Sequence, residues 1–125
     1  MTALNLEYYK GIIKKRMGDK RYIHSVNVAR AAKHLAEKYG ADVEKAVIAG
    51  ILHDVTKETP YDIQLKIMQE NGIILDSVQQ VSPKLWHAIS GSVYVKTQLG
   101  ITDAEILNAI RYHTCLLYTS PSPRD

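Results

Sequence analysis

The segment VEKAVIAGILHDV, residues 43–55, constrains this chain more than any other stretch of it. It follows Asp42, a residue suited to cap a helix, and its middle is apolar nearly all round. A helix with no polar face belongs at the centre of a bundle, so this segment calls for other helices around it. Its end is just as demanding. His53 and Asp54 close it, and a carboxylate at the end of an apolar helix is costly unless a cation or a set of donors compensates it. One segment therefore asks for both an all-helical surround and a positive partner.

The rest of the chain supplies the helices. Residues 6–17 place Leu6, Tyr9, Ile12 and Ile13 at helical spacing, with Gly18 as a stop. Residues 21–39 set Val28, Ala31, Ala32 and Leu35 on one face, with Arg30, Lys33 and Glu37 on the other, before Gly40. Thr59-Pro60 marks a start for 61–71, with Gly72 beyond, and Ser82-Pro83 opens a helix through Trp86 and His87 to Leu99 and Gly100. Thr102 and Glu105 have capping-box spacing and open a last helix through Ile106, Leu107, Ile110 and His113. Residues 73–81 fit either a short helix or a loop. No alternating strand pattern occurs, so the expected class is all-α, a single helical bundle over residues 1–114. The final residues, CLLYTSPSPRD, have no helical periodicity and interrupt a pattern still running. They are expected to be a non-native tail, a sequencing or vector artefact over 115–125.

Length and composition narrow the classes of function. A chain of 125 residues holds one hydrophobic core. No apolar run approaches the ~20 residues that span a bilayer, and the first twenty residues lack a secretory signal pattern. The single cysteine, Cys115, excludes an internal disulfide framework. The expected location is cytoplasmic, with no membrane partner. A formal charge of +3 is too small and scattered to argue for nucleic acid. The run Lys14, Lys15, Arg16, Lys20, Arg21 reads first as a solvated helix end, and more sharply as one rim of a site for a phosphate-rich substrate.

Five histidines remain, of which His24, His53, His87 and His113 lie near the ends of expected helices, where several elements can converge. His34 is mid-helix between Lys33 and Leu35 and reads as a surface residue. Imidazoles with one carboxylate suit borderline divalent metals such as iron, manganese or zinc. Two metals sharing the Asp54 carboxylate would hold a hydroxide at neutral pH and clamp a phosphoryl oxygen. Lys57, four residues after His53, could neutralise an approaching phosphate.

The order His, His-Asp, His, His on successive helices resembles the HD superfamily of metal-dependent phosphohydrolases. The strings KRYIHSVNVA, AGILHDVTK, LWHAISGSVYV and ILNAIRYHT are similar to its YqeK-type branch, the symmetrical bis(5'-nucleosyl)-tetraphosphatases. The resemblance implies an HD-domain helical bundle around a dinuclear centre, of iron by preference and with manganese or another transition metal acceptable. It implies hydrolysis of diadenosine tetraphosphate to two ADP by a metal-bound hydroxide. It carries over His24, His53, Asp54, His87 and His113 as metal ligands, with Asp54 bridging and catalytic. Lys57 becomes a catalytic and phosphate-binding residue, and Arg111 and Thr114 substrate-binding ones. The resemblance also implies a further helix with a final aspartate ligand after His113 and Thr114, where this chain has its unrelated tail. The domain is therefore expected to be C-terminally incomplete, with an apolar surface that could drive association into a homodimer.

The metal motif does not choose a substrate. Deoxynucleotides, cyclic nucleotides or a guanosine alarmone fit the same ligands, and a nucleotide-binding module without turnover is the alternative from another class. Tyr22, Tyr61 and Tyr112 are candidates for base stacking, with core packing the expectation for each.

Overall fold

The computed structural model describes residues 3–112, and their side chains from Leu6 onward. Every regular element in that range is helical: α1 (Ala3–Arg16), α2 (Asp19–Tyr39), α3 (Val43–Leu52), α4 (Tyr61–Glu70), α5 (Ser77–Gln80), a 3-10 turn (Pro83–Leu85), α6 (Trp86–Gln98) and α7 (Ala104–Arg111). The all-α expectation is met. His113, Thr114 and the 115–125 segment lie outside the described residues.

The caps explain most boundaries and correct several. Gly40, Gly72 and Gly100 take left-handed φ values of 73°, 73° and 71°, the conformation that ends a helix and suits glycine. Asp42 caps α3 by accepting from the Lys45 amide, as expected. Thr59 does not cap α4; Pro60 holds that position, and the Thr59 hydroxyl accepts from Arg16 instead. Ser82 makes no cap either, and the chain passes through the 3-10 turn before α6 begins. The start of α7 moves one residue on from Thr102. Asp103 accepts from the Glu105 and Ile106 amides, because a short carboxylate reaches those donors directly. Residues 73–81 resolve into the four-residue α5, closed by a reciprocal capping box between Asp76 and Gln79.

Two corrections bear on the core. The buried face of α2 is Ser25, Ala29 and Ala36. The expected stripe of Val28, Ala31, Ala32 and Leu35 is displaced, and Leu35 stands 54% exposed. The reason is close approach. A Cβ added to Gly50 of α3 would lie 2.7 Å from the Ala29 Cα, so α2 presents its small residues, not its bulky ones, to α3. Secondly, α3 ends at Leu52, and residues 53–58 form turns. Helix α6, which packs on α4 and α7, is buried from Trp86 to Val93 and again at Val95, more completely than α3 itself.

The main core gathers Ile13 of α1, Met17 just after it, Ala29 of α2, Ile48, Ala49, Ile51 and Leu52 of α3, then Val55, Val95, Ile106 and Ile110. A smaller cluster of Met68, Trp86 and Ile89 sits under α4 and α5. Burying such side chains contributes roughly 1.5–3 kcal/mol each against leaving them exposed. Helix α3 packs on α2 and α7, and α7 in turn packs on α6, so these contacts fix where the turn after α3 emerges. Among the described residues no helix is long and apolar enough to cross a membrane.

Candidate metal centre

The turn at 53–58 is built by bonds tighter than helical ones. Val55 donates to the Leu52 carbonyl (3.1 Å), Lys57 to Asp54 (2.9 Å) and Thr59 to Thr56 (3.0 Å), each across three residues. This tightening leaves His53 as the helix cap and turns Asp54 inward, where it is 3% exposed. Arg16 holds the turn from outside, donating to the Val55 carbonyl (3.2 Å) and the Thr59 hydroxyl (3.1 Å) while lying 4.2 Å over the Tyr94 ring.

Around the Asp54 carboxylate three histidines converge. His53 Nε2 lies 3.3 Å from Oδ2, and His24 Nε2, from the start of α2, 3.8 Å from the same oxygen. His87 Nε2, from the first turn of α6, lies 3.3 Å from Oδ1. Ligand atoms of His24, His53 and Asp54 all fall within 4.8 Å of one another. The two rings of His24 and His53 sit 5.6 Å apart and tilted.

The ring nitrogens on the far side are held by backbone carbonyls. His53 Nδ1 donates to the Gly50 carbonyl at 2.7 Å, and His87 Nδ1 donates to the Lys84 carbonyl at 2.9 Å. A carbonyl has no proton to give, so in each neutral ring Nε2 carries the lone pair. Both lone pairs then face carboxylate oxygens at 3.3 Å in a buried place. Acceptor against acceptor is repulsive, and either a proton on Nε2 or a metal cation between the two relieves it. Backbone carbonyls orienting the far nitrogen are what metal-binding histidines ordinarily have. The donor set of imidazoles and one carboxylate fits a divalent transition metal.

The structure also brings in a residue assigned no specific role from sequence. Arg21 Nη1 lies 3.2 Å from Asp54 Oδ2, and Lys20, Arg21, His24 and Glu58 line an open cleft of about 260 Å³ beside it. Two members of the basic run thus stand at the edge of the group. The signal in the sequence was the basic run itself, whose Arg21 stands one helical turn before His24. Other expected residues are placed less directly. Lys57 is half-buried, tied by its amide to Asp54. Arg111 lines a different cleft, with Asn71, Ser92, Lys96 and Asn108, and its guanidinium sits 5.7 Å over the Tyr112 ring. His34 is exposed, as expected. Tyr22 packs against the main core, and Tyr61 meets Trp86 edge-on at 5.8 Å.

The chain is similar to several known proteins. The chain is 39% identical over 111 residues, 89% of its length, to a symmetrical bis(5'-nucleosyl)-tetraphosphatase of Bacillus subtilis, and spans 59% of that protein. It is 34% identical over 103 residues, 82% of its length, to the protein of the same name from Halalkalibacterium halodurans, spanning 54% of it. The solved structure of a predicted HD superfamily hydrolase involved in NAD metabolism, from Clostridium acetobutylicum, superposes with a TM-score of 0.82 at 34% identity. That match covers 86% of this chain and 57% of the other. The chain thus spans little more than half the length of these relatives. The HD domain profile matches residues 21–123, a span that opens on Arg21 and takes in every residue found around Asp54, and on that ground the chain belongs to the HD domain family.

Proposed function

We propose that this chain carries the catalytic core of a metal-dependent hydrolase that cleaves diadenosine tetraphosphate symmetrically into two ADP. One observation carries the reading: the buried Asp54 carboxylate offers Oδ2 to His24 and His53 and Oδ1 to His87. A carboxylate with imidazoles at both oxygens is disposed to be shared between two cations. The names of the Bacillus and Halalkalibacterium relatives support the substrate.

In this reading the centre is dinuclear, with iron preferred and manganese accepted. The ligands are His24, His53, Asp54 and His87, joined by His113 from beyond the described residues. When bound, such metals lower the pKa of water and neutralise a phosphoryl oxygen. The chain's own residues do the rest. The Gly50 and Lys84 carbonyls hold the His53 and His87 rings in the tautomer that presents Nε2. Arg21 and Lys20 at the mouth of the cleft, with Lys57 in the turn, draw the polyphosphate in and offset its charge. Arg111 and Thr114 contribute to substrate binding as the resemblance implies. The enzyme is cytoplasmic and associates as a homodimer.

Product analysis tests this. The purified chain, loaded with ferrous iron or manganese, is incubated with diadenosine tetraphosphate and the nucleotides are separated. ADP as sole product is the expected result. AMP with ATP would reject symmetrical attack, and no turnover by the loaded domain with a relative's aspartate-bearing C-terminal helix restored would reject the hydrolase reading.

A further inference from the structure

A fully buried polar chain lies behind the metal centre, and no part of the chemistry above uses it. The Thr56 hydroxyl donates to the His87 main-chain carbonyl at 2.9 Å. The same oxygen meets the Ser90 hydroxyl at 2.9 Å, and Ser90 reaches the Gln64 Oε1 at 3.2 Å. Gln64 in turn donates through Nε2 to the Thr59 carbonyl at 2.8 Å. Thr56, Gln64 and Ser90 are all at 0% exposure. Hydroxyls buried among apolar side chains are costly unless hydrogen-bonded.

Counting protons fixes the direction of the chain. A carbonyl cannot donate, so the single Thr56 proton is committed to His87. For the same reason Nε2 of Gln64 must face Thr59, which turns Oε1 toward Ser90. The one Ser90 proton is then shared between Gln64 and Thr56, and it cannot substitute for the Thr56 bond. Thr56 stands two residues after Asp54, and its bond reaches the backbone of a candidate ligand on another helix. Gly91 keeps the place open, since a Cβ there would lie 3.3 Å from the Thr56 hydroxyl.

We infer that Thr56 is a positioning residue for the metal centre, its hydroxyl locking the His-Asp turn in register with α6 so that Asp54 and His87 meet. This rests on the metal-centre reading. The test compares Thr56→Val, which keeps the shape and loses the proton, with Thr56→Ser, which restores it. Gln64→Met serves as a control that breaks the same network away from His87. Cobalt(II) binding to the chain gives affinity from titration and geometry from the visible spectrum, without any turnover.

Thr56→Val is expected to weaken cobalt binding by about 10- to 100-fold and to alter the spectrum at saturation, with Thr56→Ser close to the parent. Gln64→Met is expected to lower Tm while leaving cobalt affinity near that of the parent. A Thr56→Val protein with parental affinity and spectrum would overturn the inference. So would equal affinity losses in Thr56→Val and Gln64→Met at equal loss of Tm, which would mark the effect as general destabilisation. A parent chain that binds no cobalt would sink the metal-centre reading, and this inference with it.

Discussion

Replacing Gly50 by alanine sets two well-understood effects against each other, and the structure decides which wins. Gly50 lies inside α3, where glycine costs about 1 kcal/mol relative to alanine. Propensity alone therefore expects Gly50→Ala to stabilise the protein. The new Cβ would stand 2.7 Å from the Ala29 Cα, 3.0 Å from its N and 3.2 Å from its Cβ, where ordinary contact begins at 3.4 Å. The nearest obstacle is backbone, so no side-chain rotation relieves a shortfall of about 0.7 Å. The two helices must move apart along the most intimate contact in the core. Overpacking of this kind costs typically 1–3 kcal/mol. With backbone as the obstacle the upper end applies, and the net loss is about 2 kcal/mol after the propensity gain. For a domain of this size that is a fall in Tm on the order of 8 °C.

The same movement reaches the metal centre. Helix α2 carries Arg21 and His24, while the Gly50 carbonyl holds the His53 ring at 2.7 Å. Separating α2 from α3 lengthens the 3.8 Å approach of His24 to Asp54, so metal affinity should fall together with stability. Thermal denaturation and a metal titration measure both. A variant more stable than the parent would refute the packing argument, and lost stability with unchanged metal affinity would refute the coupling.

Two other expectations are sharp. Asp54→Ala should abolish metal binding and turnover together, and in the parent a chelator should remove about 2.7 kcal/mol of stability where free metal stood at 100 times Kd; retained turnover in the variant, or a parental Tm indifferent to chelation, contradicts the assignment. Lys45 pairs with Asp103 (3.1 Å) and Glu105 (2.8 Å), and the Lys45 bond holds the Asp103 carboxyl below the usual carboxylate range. A depressed carboxylate stabilises above that range and loses its effect as pH falls through its lowered pKa. Lys45→Met should therefore lower Tm at neutral pH, with the gap from the parent closing in acid; a gap constant across pH would refute this.

Most of the helical plan was legible because it rests on local chemistry. Glycines at 40, 72 and 100 can enter the left-handed region that other residues avoid, and they stop three helices where periodicity stops. Caps were less legible. Thr59 and Thr102 have the right residue type, yet Arg16 takes the first and Asp103 displaces the second. Which hydroxyl caps a helix depends on competing donors that only the packed molecule supplies. The buried face of α2 was misjudged for a similar reason. Hydropathy favours Leu35 as the inward residue, but the shape of α3 at Gly50 demands Ala29. Close packing is a property of two surfaces, and one helix's sequence carries only one of them.

The candidate site divides along the same line. The sequence by itself determined the chemistry on offer: imidazoles near helix ends, a carboxylate closing an apolar helix, and basic residues one turn before His24. Each is a matter of residue type and spacing along one chain. Only the tertiary structure decided that His24 and His53 share one oxygen of Asp54 while His87 takes the other. It also decided that Arg21 joins them and that Thr56 is spent on the backbone of His87. Those contacts join residues as many as 33 positions apart, and their distances are set by how α2 packs on α3 and how α7 packs on α3 and α6, which no local pattern encodes.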